Sequence, residues 1–394
     1  MLQVSDLIEA TRRGGRASLR FPKERFGSGP RPPVVVWNVV RHCNMCCPHC
    51  YAAASSRPSP TDLSTSEALR VLDSIAAAGV RVLIFSGGEP LLRPDLFFLM
   101  DKARRLGLRP HLSTNGSLID SEAARRLVDS GVVYVGVSID GPADFNDLYR
   151  GLPGGFERAV RALRLARAAG LRTGLRLTLM RDNRQYLEEV YATAREVGAN
   201  RFYVSHLIGA GRARGLADQA LSRAEARASL RLLFALAERG LDEGWSTRVV
   251  TGSNDSDGPF LLRWLRERYG ARADVVAELL LRRGGNSAGE GLLNIDARGR
   301  VHPDQFWQEA VLGDVRTDRF EDILAHPLRT QLARRSDALC GRCGGCAYLD
   351  LCRGSHRGRA LAAHGDPWAS DPACVLEDSE ISVPHSQKPL EAST

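Results

Sequence analysis

Three cysteines, Cys43, Cys47 and Cys50, form a C-x3-C-x2-C arrangement that runs directly into Tyr51. Thiolates are soft ligands, and three on one short loop can hold three irons of a four-iron cluster while the fourth iron keeps an open position. An open iron takes a substrate or cofactor, so the spacing points to chemistry rather than scaffolding. Zinc suits thiolates equally well, but structural zinc takes four protein ligands, and no fourth is fixed nearby. Cys46 and His49 lie inside the motif. Adjacent Cys46 and Cys47 must point different ways from one loop, which makes Cys46 a bystander.

Five further cysteines stand far downstream as Cys340-x2-Cys343-x2-Cys346-x5-Cys352-x21-Cys374, with none between the two groups. A secreted disulfide framework is shorter and denser, so in a chain of 394 residues this clustering indicates metal binding in a reducing, cytoplasmic setting. Apolar content of 43% and charge of 25% are those of a globular protein. No apolar run reaches the roughly 18 residues of a membrane span, and the first residues lack a signal-peptide core. Neither a membrane nor secretion is expected. The net charge of +8 comes almost wholly from arginine, the lysines being Lys23, Lys102 and Lys388. Such a balance favours anionic partners. The arginines are spread over helices without interleaved aromatics, so nucleic acid is not expected and a small polycarboxylate fits.

Elements must position these thiols. After a Pro-rich stretch at 29–33, strand-like runs at 34–40, 81–85, 109–113, 132–138, 172–180 and 201–206 alternate with helical periods. Ser64 and Glu67 make a capping box, behind which Leu69, Leu72, Ile75 and Ala76 line one face. Six strand-helix units predict an α/β fold, a partial (β/α)6 barrel resembling an open TIM barrel, with parallel strands and right-handed crossovers. Ligands gather at the C-terminal ends of such strands. There stand Cys43 to Cys50, Ser86 to Pro90, Ser113 to Asn115, Ser138 to Asp140 and His206. Past 209–215 the alternation breaks into helices at 222–239 and 259–283 and a hairpin at 292–302. From Cys340 the chain is loop-like, with a metal centre expected to replace an apolar core. The expected division is an N-terminal arm at 1–33, the barrel at 34–240, an auxiliary domain at 241–380 and a disordered tail at 381–394.

The cysteine motif followed at the next strand end by Ser86-Gly87-Gly88-Glu89-Pro90 resembles the radical S-adenosylmethionine (SAM) superfamily. That resemblance implies that Cys43, Cys47 and Cys50 ligate a 4Fe–4S cluster whose free iron is chelated by SAM. Cleavage of SAM by one electron then yields a 5′-deoxyadenosyl radical that abstracts an unactivated hydrogen. It implies cofactor contacts from Tyr51 and from Gly87, Gly88, Glu89 and Pro90, the last four at the methionine amino group, with Ser138 and Asp140 at the ribose. Ser113 and Asn115 are weaker cofactor candidates, Asn115-Gly116 also reading as a plain turn. The downstream cysteines resemble the SPASM-type auxiliary-cluster extension. One further 4Fe–4S cluster is implied, on Cys343, Cys346, Cys352 and Cys374, with Cys340 competing for one place and zinc as the alternative metal.

The phrases FSGGEPLLRPDLF, VVTGSNDSDGPF and GGNSAGEGLLNIDARGRVHPDQFW look like the haem d1 biosynthesis family of radical SAM proteins over about 34–374. This implies a tetrapyrrole substrate, 12,18-didecarboxysirohaem, from which two propionates are removed and replaced by oxo groups. A small electron-transfer protein such as flavodoxin or ferredoxin is the implied reductant. Arg150, Arg176 with Thr178, and His206 are candidate substrate or cofactor contacts, each with a structural alternative: a helix-end arginine, core polar groups, a core histidine. His302, Asp304, Asn254, Asp255 and Asp257 are expected on a substrate-facing wall, or in turns. Rival functions are a haem-pathway tetrapyrrole decarboxylase, a SPASM-type peptide maturase and a non-enzymatic metal scaffold. Only 33 residues precede the first strand, too few for the peptide-recognition domain that maturases often carry.

Overall fold

A computed structural model describes residues 1–14 and 32–382. The Pro-rich stretch and the expected tail fall largely outside the described residues. One ten-stranded sheet runs in the order β10-β9-β8-β1-β2-β3-β4-β5-β6-β7. Its strands are β1 (Val34–Asn38), β2 (Val82–Ser86), β3 (Arg109–Thr114), β4 (Tyr134–Ser138), β5 (Arg172–Leu179), β6 (Arg201–His206), β7 (Arg248–Gly252), β8 (Leu292–Ile295), β9 (Arg300–His302) and β10 (Gly313–Asp314). The six expected strands all form, within the usual blur of two residues at their ends. The parallel run is longer than six, because β7 adds to β6 and β8 adds to the far side of β1. Residue 240 therefore marks no break in the sheet.

Period-two alternation builds the wall. Val35, Trp37, Leu83, Phe85, Leu112, Val135, Val137, Leu175, Leu177, Phe202 and Val204 are buried on the outer face. They pack beneath a helical layer of α2 (Thr65–Ala77), α3 (Leu96–Arg105), α4 (Ser121–Asp129), α6 (Gly155–Ala168) and α7 (Leu187–Glu196), while α5 (Ala143–Arg150) packs on α6. The capping box is present, with the Ser64 hydroxyl accepting from the Glu67 N–H. The opposite, concave face carries Asn38, Ser86, His111, Ser113, Tyr134, Ser138, Arg176, Tyr203 and Ser205. Polar residues there signal a surface kept for ligands.

The arm ahead of β1 is structured where it is described. Leu2 exchanges two backbone hydrogen bonds with Thr251 of β7, and helix α1 (Val4–Arg12) buries Val4, Leu7 and Ile8. Its neighbours are β7, α8 (Arg223–Asp242), α9 (Asp257–Tyr269) and α10 (Asp274–Arg283). This covers the open edge of β7, which would otherwise offer unpaired backbone groups.

The C-terminal region is fastened by buried polar contacts. Asn254 Nδ2 donates to Ala373 O at 2.7 Å, and Asp255 accepts from Arg283 at 2.7 Å and Asn286 at 2.9 Å. His356 meets Asp304 at 3.1 Å, and Arg359 grips Asp371 through two nitrogens at 2.7 and 2.8 Å. The expected substrate wall is thereby corrected: Asn254, Asp255, Asp257, His302 and Asp304 are all buried and partnered within the protein. Short Asp and Asn side chains here stitch turns to neighbouring backbone.

Burial pushes the Asp371 carboxyl up, but Arg359 and two backbone N–H donors hold it well below the usual carboxylate range. A depressed folded pKa contributes stability above the unfolded value, near pH 4, that is lost as pH falls through the folded value. Arg359→Met should cost about 3–5 kcal/mol at neutral pH by stranding a buried carboxylate, read as a lower urea midpoint. That deficit should shrink below about pH 4.

Candidate active site

The loop after β1 is held first by backbone contacts from the end of β2. Gly88 N–H donates to Val40 O at 2.7 Å, and Glu89 N–H donates to His42 O at 2.8 Å. A Cβ on Gly88 would stand 2.1 Å from His42 O, and one on Gly87, whose φ is +146°, would stand 2.5 Å from Val40 O. Only glycine permits this approach. Gly87 and Gly88 thus seat the end of β2 against the cysteine loop itself. The Glu89 side chain turns inward, accepting from Thr114 Oγ1 at 2.7 Å, Asn115 N at 2.8 Å and Leu91 N at 3.1 Å. Burial raises its pKa against those three donors. With Pro90 opening the next helical turn, Glu89 joins the ends of β2 and β3.

A second brace comes from the segment after β6. Arg212 donates to Cys47 O at 2.9 Å and Ala54 O at 2.6 Å, while its own N–H reaches Cys50 O at 3.0 Å. Gly211 lies so close that a Cβ would meet Tyr51 O at 2.3 Å. Arg212 was not singled out from sequence; its signal was the Gly-Ala-Gly spacing just ahead of it. Tyr51 is anchored through its hydroxyl to Asn38 and Ser86, both at 3.1 Å.

Around the thiols, polar hydrogens point at sulfur. Met45 N–H lies 3.4 Å from Cys43 Sγ and Asn115 Nδ2 lies 4.0 Å from it, while Arg150 Nη1 is 3.9 Å from Cys47 Sγ. Burial pushes the Cys43 thiol up to about 12 and raises Cys47 too. Buried thiols with donors aimed at their sulfurs fit metal-bound thiolates, because coordination supplies the charge that burial denies. Cys46 is exposed, in keeping with a bystander.

Arg150 and Asp140 are placed otherwise than expected. Arg150 Nη2 meets Asp140 Oδ2 at 2.7 Å, His49 Nε2 approaches the same oxygen at 3.3 Å, and Thr178 N–H donates to Oδ1 at 2.9 Å. Asp140 is fully buried; burial pushes it up, yet the Arg150 guanidinium and the Thr178 N–H hold it below its ordinary pKa. His49, lowered to about 4 chiefly by burial, is neutral and stacks on Tyr149. Arg150 is thus committed to Asp140 and the cluster loop rather than to substrate, and Asp140 to a protein ion pair rather than to a ribose. The reason is local: Asp140 lies past the end of β4, where the chain turns in beneath the cysteine loop.

The remaining candidates separate clearly. Ser138 faces the concave side in register with Arg176, with no hydrogen bond to its hydroxyl among the described residues. Arg176 donates to Ser113 Oγ and lies over the Tyr203 ring at 5.3 Å, open to the barrel interior. His206 is buried against Asp257 at 3.1 Å, the core-histidine alternative.

In the C-terminal group burial, and after it the charge of neighbouring thiols, raises Cys346, Cys352 and Cys374, and the Cys343 thiol lies near enough to act on all three. Cys340 is exposed and turns toward Trp368 O and Asp366 instead. No three His, Cys, Asp or Glu side chains among the described residues converge on a single metal ion. A cubane spaces its thiolates more widely than zinc, whose sulfur ligands sit about 2.3 Å from one centre.

Fold and site together define an open-barrel iron–sulfur enzyme with a cysteine-rich second domain. Comparison with known proteins carries this to a family. Residues 37–194 match the radical SAM superfamily, and residues 287–347 match the SPASM iron–sulfur cluster-binding domain. The pre-heme d1 synthase of Dinoroseobacter shibae is 39% identical over 90% of this chain and 89% of its own length. The Fe-coproporphyrin III synthase of Methanosarcina barkeri is also 39% identical, over 94% of both chains. The solved structure of native anSMEcpe with bound AdoMet is 20% identical, with a TM-score of 0.68, covering 87% of this chain and 94% of that one. The chain belongs to the radical SAM superfamily and carries a SPASM domain. It is an enzyme whose cofactors are 4Fe–4S clusters and SAM. No helix among the described residues is long and apolar enough to cross a membrane.

Cys340→Ser should retain about eight irons after anaerobic reconstitution, two cubanes' worth. Cys374→Ser should retain about half of that by iron analysis, and equal loss in both variants would refute the distinction drawn between these thiols.

Proposed function

We propose that this enzyme modifies acid side chains of an iron tetrapyrrole in haem-related synthesis, removing two propionates of 12,18-didecarboxysirohaem that are replaced by oxo groups. The observation that carries the reading is the 39% identity to a pre-heme d1 synthase over nine-tenths of both chains. Polar and cationic residues on the concave face, and a net charge of +8, support a substrate bearing several carboxylates.

When bound, the cluster and SAM supply one-electron cleavage of a sulfonium bond, the means of taking hydrogen from an unactivated carbon. The residues of this chain do the placing. Cys43, Cys47 and Cys50 are the proposed ligands of the first cluster, and Cys343, Cys346, Cys352 and Cys374 those of the second. Gly87, Gly88 and Arg212 fix the loop that carries the first set. Arg150 lends positive charge beside Cys47, and Ser138, on the open face, is the proposed ribose contact. A β-hydrogen of a propionate is not acidic, so no general base is required of the barrel wall. The electron comes from a small redox protein such as flavodoxin or ferredoxin.

The equal identity to an Fe-coproporphyrin III synthase favours a second reading, a related haem-pathway enzyme that shortens or removes acetate or propionate side chains of the tetrapyrrole without adding oxygen, a tetrapyrrole decarboxylase among them. Incubating reconstituted enzyme with 12,18-didecarboxysirohaem, SAM and reductant separates the two by mass. Loss of two propionate side chains with gain of two oxygens is the expected result. Loss of side-chain mass, as carbon dioxide or as whole acid side chains, with no gain of oxygen supports the second reading, and an unchanged tetrapyrrole refutes both.

A further inference from the structure

The concave wall holds a group of cations that neither cluster uses. Gly136 of β4 and Gly174 of β5 are register partners in the middle of this wall. A Cβ on Gly136 would stand 2.8 Å from Arg176 Cδ, and one on Gly174 would stand 1.9 Å from Tyr134 Oη. Two adjoining glycines therefore let two long side chains lie flat across the sheet. Arg201, in register with Gly174, completes the group, its guanidinium 5.6 Å from the centre of the Tyr134 ring.

The charge here is not neutralised within the described protein. Neither Arg176 nor Arg201 forms an ion pair with a carboxylate among the described residues. Asp6 feels Arg201 only at longer range and makes its ion pair, at 4.0 Å, with Arg248. Arg176 spends one donor on Ser113 Oγ and keeps the rest of its fork. The Tyr134 hydroxyl has no hydrogen-bond partner among the described residues. Burial raises its pKa against the pull of Arg176, Arg201 and Arg172, so it stays a neutral donor. His111 packs beside Tyr134 with ring centres 5.7 Å apart, and burial followed by the nearby arginines lowers it to about 4, so it adds no charge. The arginines alone set the sign.

Two half-buried, carboxylate-free guanidiniums and a neutral hydroxyl on one wall make an anion site. Its donors are side chains only, since the strand N–H groups are spent in the ladder, so there is no nest of amides to surround a phosphate. A planar carboxylate taken by Arg forks suits it better. Arg109 and Arg172, exposed at the starts of β3 and β5, extend the positive field along the N-terminal end of the same wall, away from the cysteine loop.

We propose that Arg176, Arg201 and Tyr134 form a carboxylate-binding site on the inner barrel wall. It seats an acid side chain of the macrocycle that the reaction leaves intact, and so fixes which side chains face SAM. This rests on the tetrapyrrole reading above. The residues act by binding and positioning, below the strand ends where the cysteine loop lies.

The test is equilibrium binding rather than turnover. Reconstituted wild type, Arg176→Gln, Arg201→Gln and Tyr134→Phe are titrated anaerobically with 12,18-didecarboxysirohaem and with its methyl-esterified form, followed by tetrapyrrole absorbance. Wild type should bind the acid form about tenfold or more tightly than the ester. Each arginine variant should lose about tenfold in affinity for the acid form and be unchanged for the ester. Arg201→Lys, which keeps charge without the fork, should fall between. Acid binding equal to wild type in both arginine variants would overturn this site and leave the tetrapyrrole reading intact. Wild type that binds neither form would overturn both.

Discussion

Everything at this centre depends on how closely the end of β2 approaches the cysteine loop. The hydrogen bonds from Gly88 and Glu89 to Val40 and His42 carbonyls exist only because no Cβ intervenes at Gly87 or Gly88. With that contact made, Glu89 is committed inward to Thr114 and Asn115, and Asn115 faces Cys43. Arg212 closes the same loop from the β6 side. The three thiolates of this loop are reserved for metal and cannot themselves fix it. Backbone contacts give rigidity without using ligands.

Electrostatics adds a second level. Asp140, Arg150 and His49 form a buried cluster that links the turn after β4, the end of α5 and the cysteine loop. A buried pair of this kind gives little net stability, since desolvation offsets attraction. Its use is positional: Asp140 orients Arg150, and Arg150 places positive charge beside Cys47. The C-terminal domain repeats the device, with Arg359 and Asp371 setting the turn between Cys352 and Cys374. Where an apolar core is thin, polar contacts hold the ligand-bearing turns in place.

Much of this was legible in the sequence because it is periodic or spaced. Alternation gave β1 to β6, and the cysteine intervals separated two metal groups. The hairpin at 292–302 formed as β8 and β9, but its pairing beside β1, like the whole of β7, was harder, because each joins the sheet after a long intervening segment. The roles of Asp140 and Arg150 were not readable at all. Residue type allows a carboxylate to meet a ribose or an arginine to meet a substrate, and only the fold shows that the two are spent on each other. The same holds for the wall of Asn254, Asp255 and Asp304, whose sequence phrases are distinctive for reasons of domain fastening. The site built on Gly136 and Gly174 was hidden for the opposite reason: glycines in strands carry no periodic signal, and their meaning comes from what lies over them.

The central claim is that backbone contacts from β2 and β6 preorganise the cysteine loop before any metal arrives. Amide hydrogen exchange in the metal-free protein tests it most directly. The account predicts that the N–H groups of Gly88, Glu89 and Arg212 are protected to a degree comparable with the core amides of β2. Fast exchange at these three positions, slowing only when the cluster is reconstituted, would contradict it.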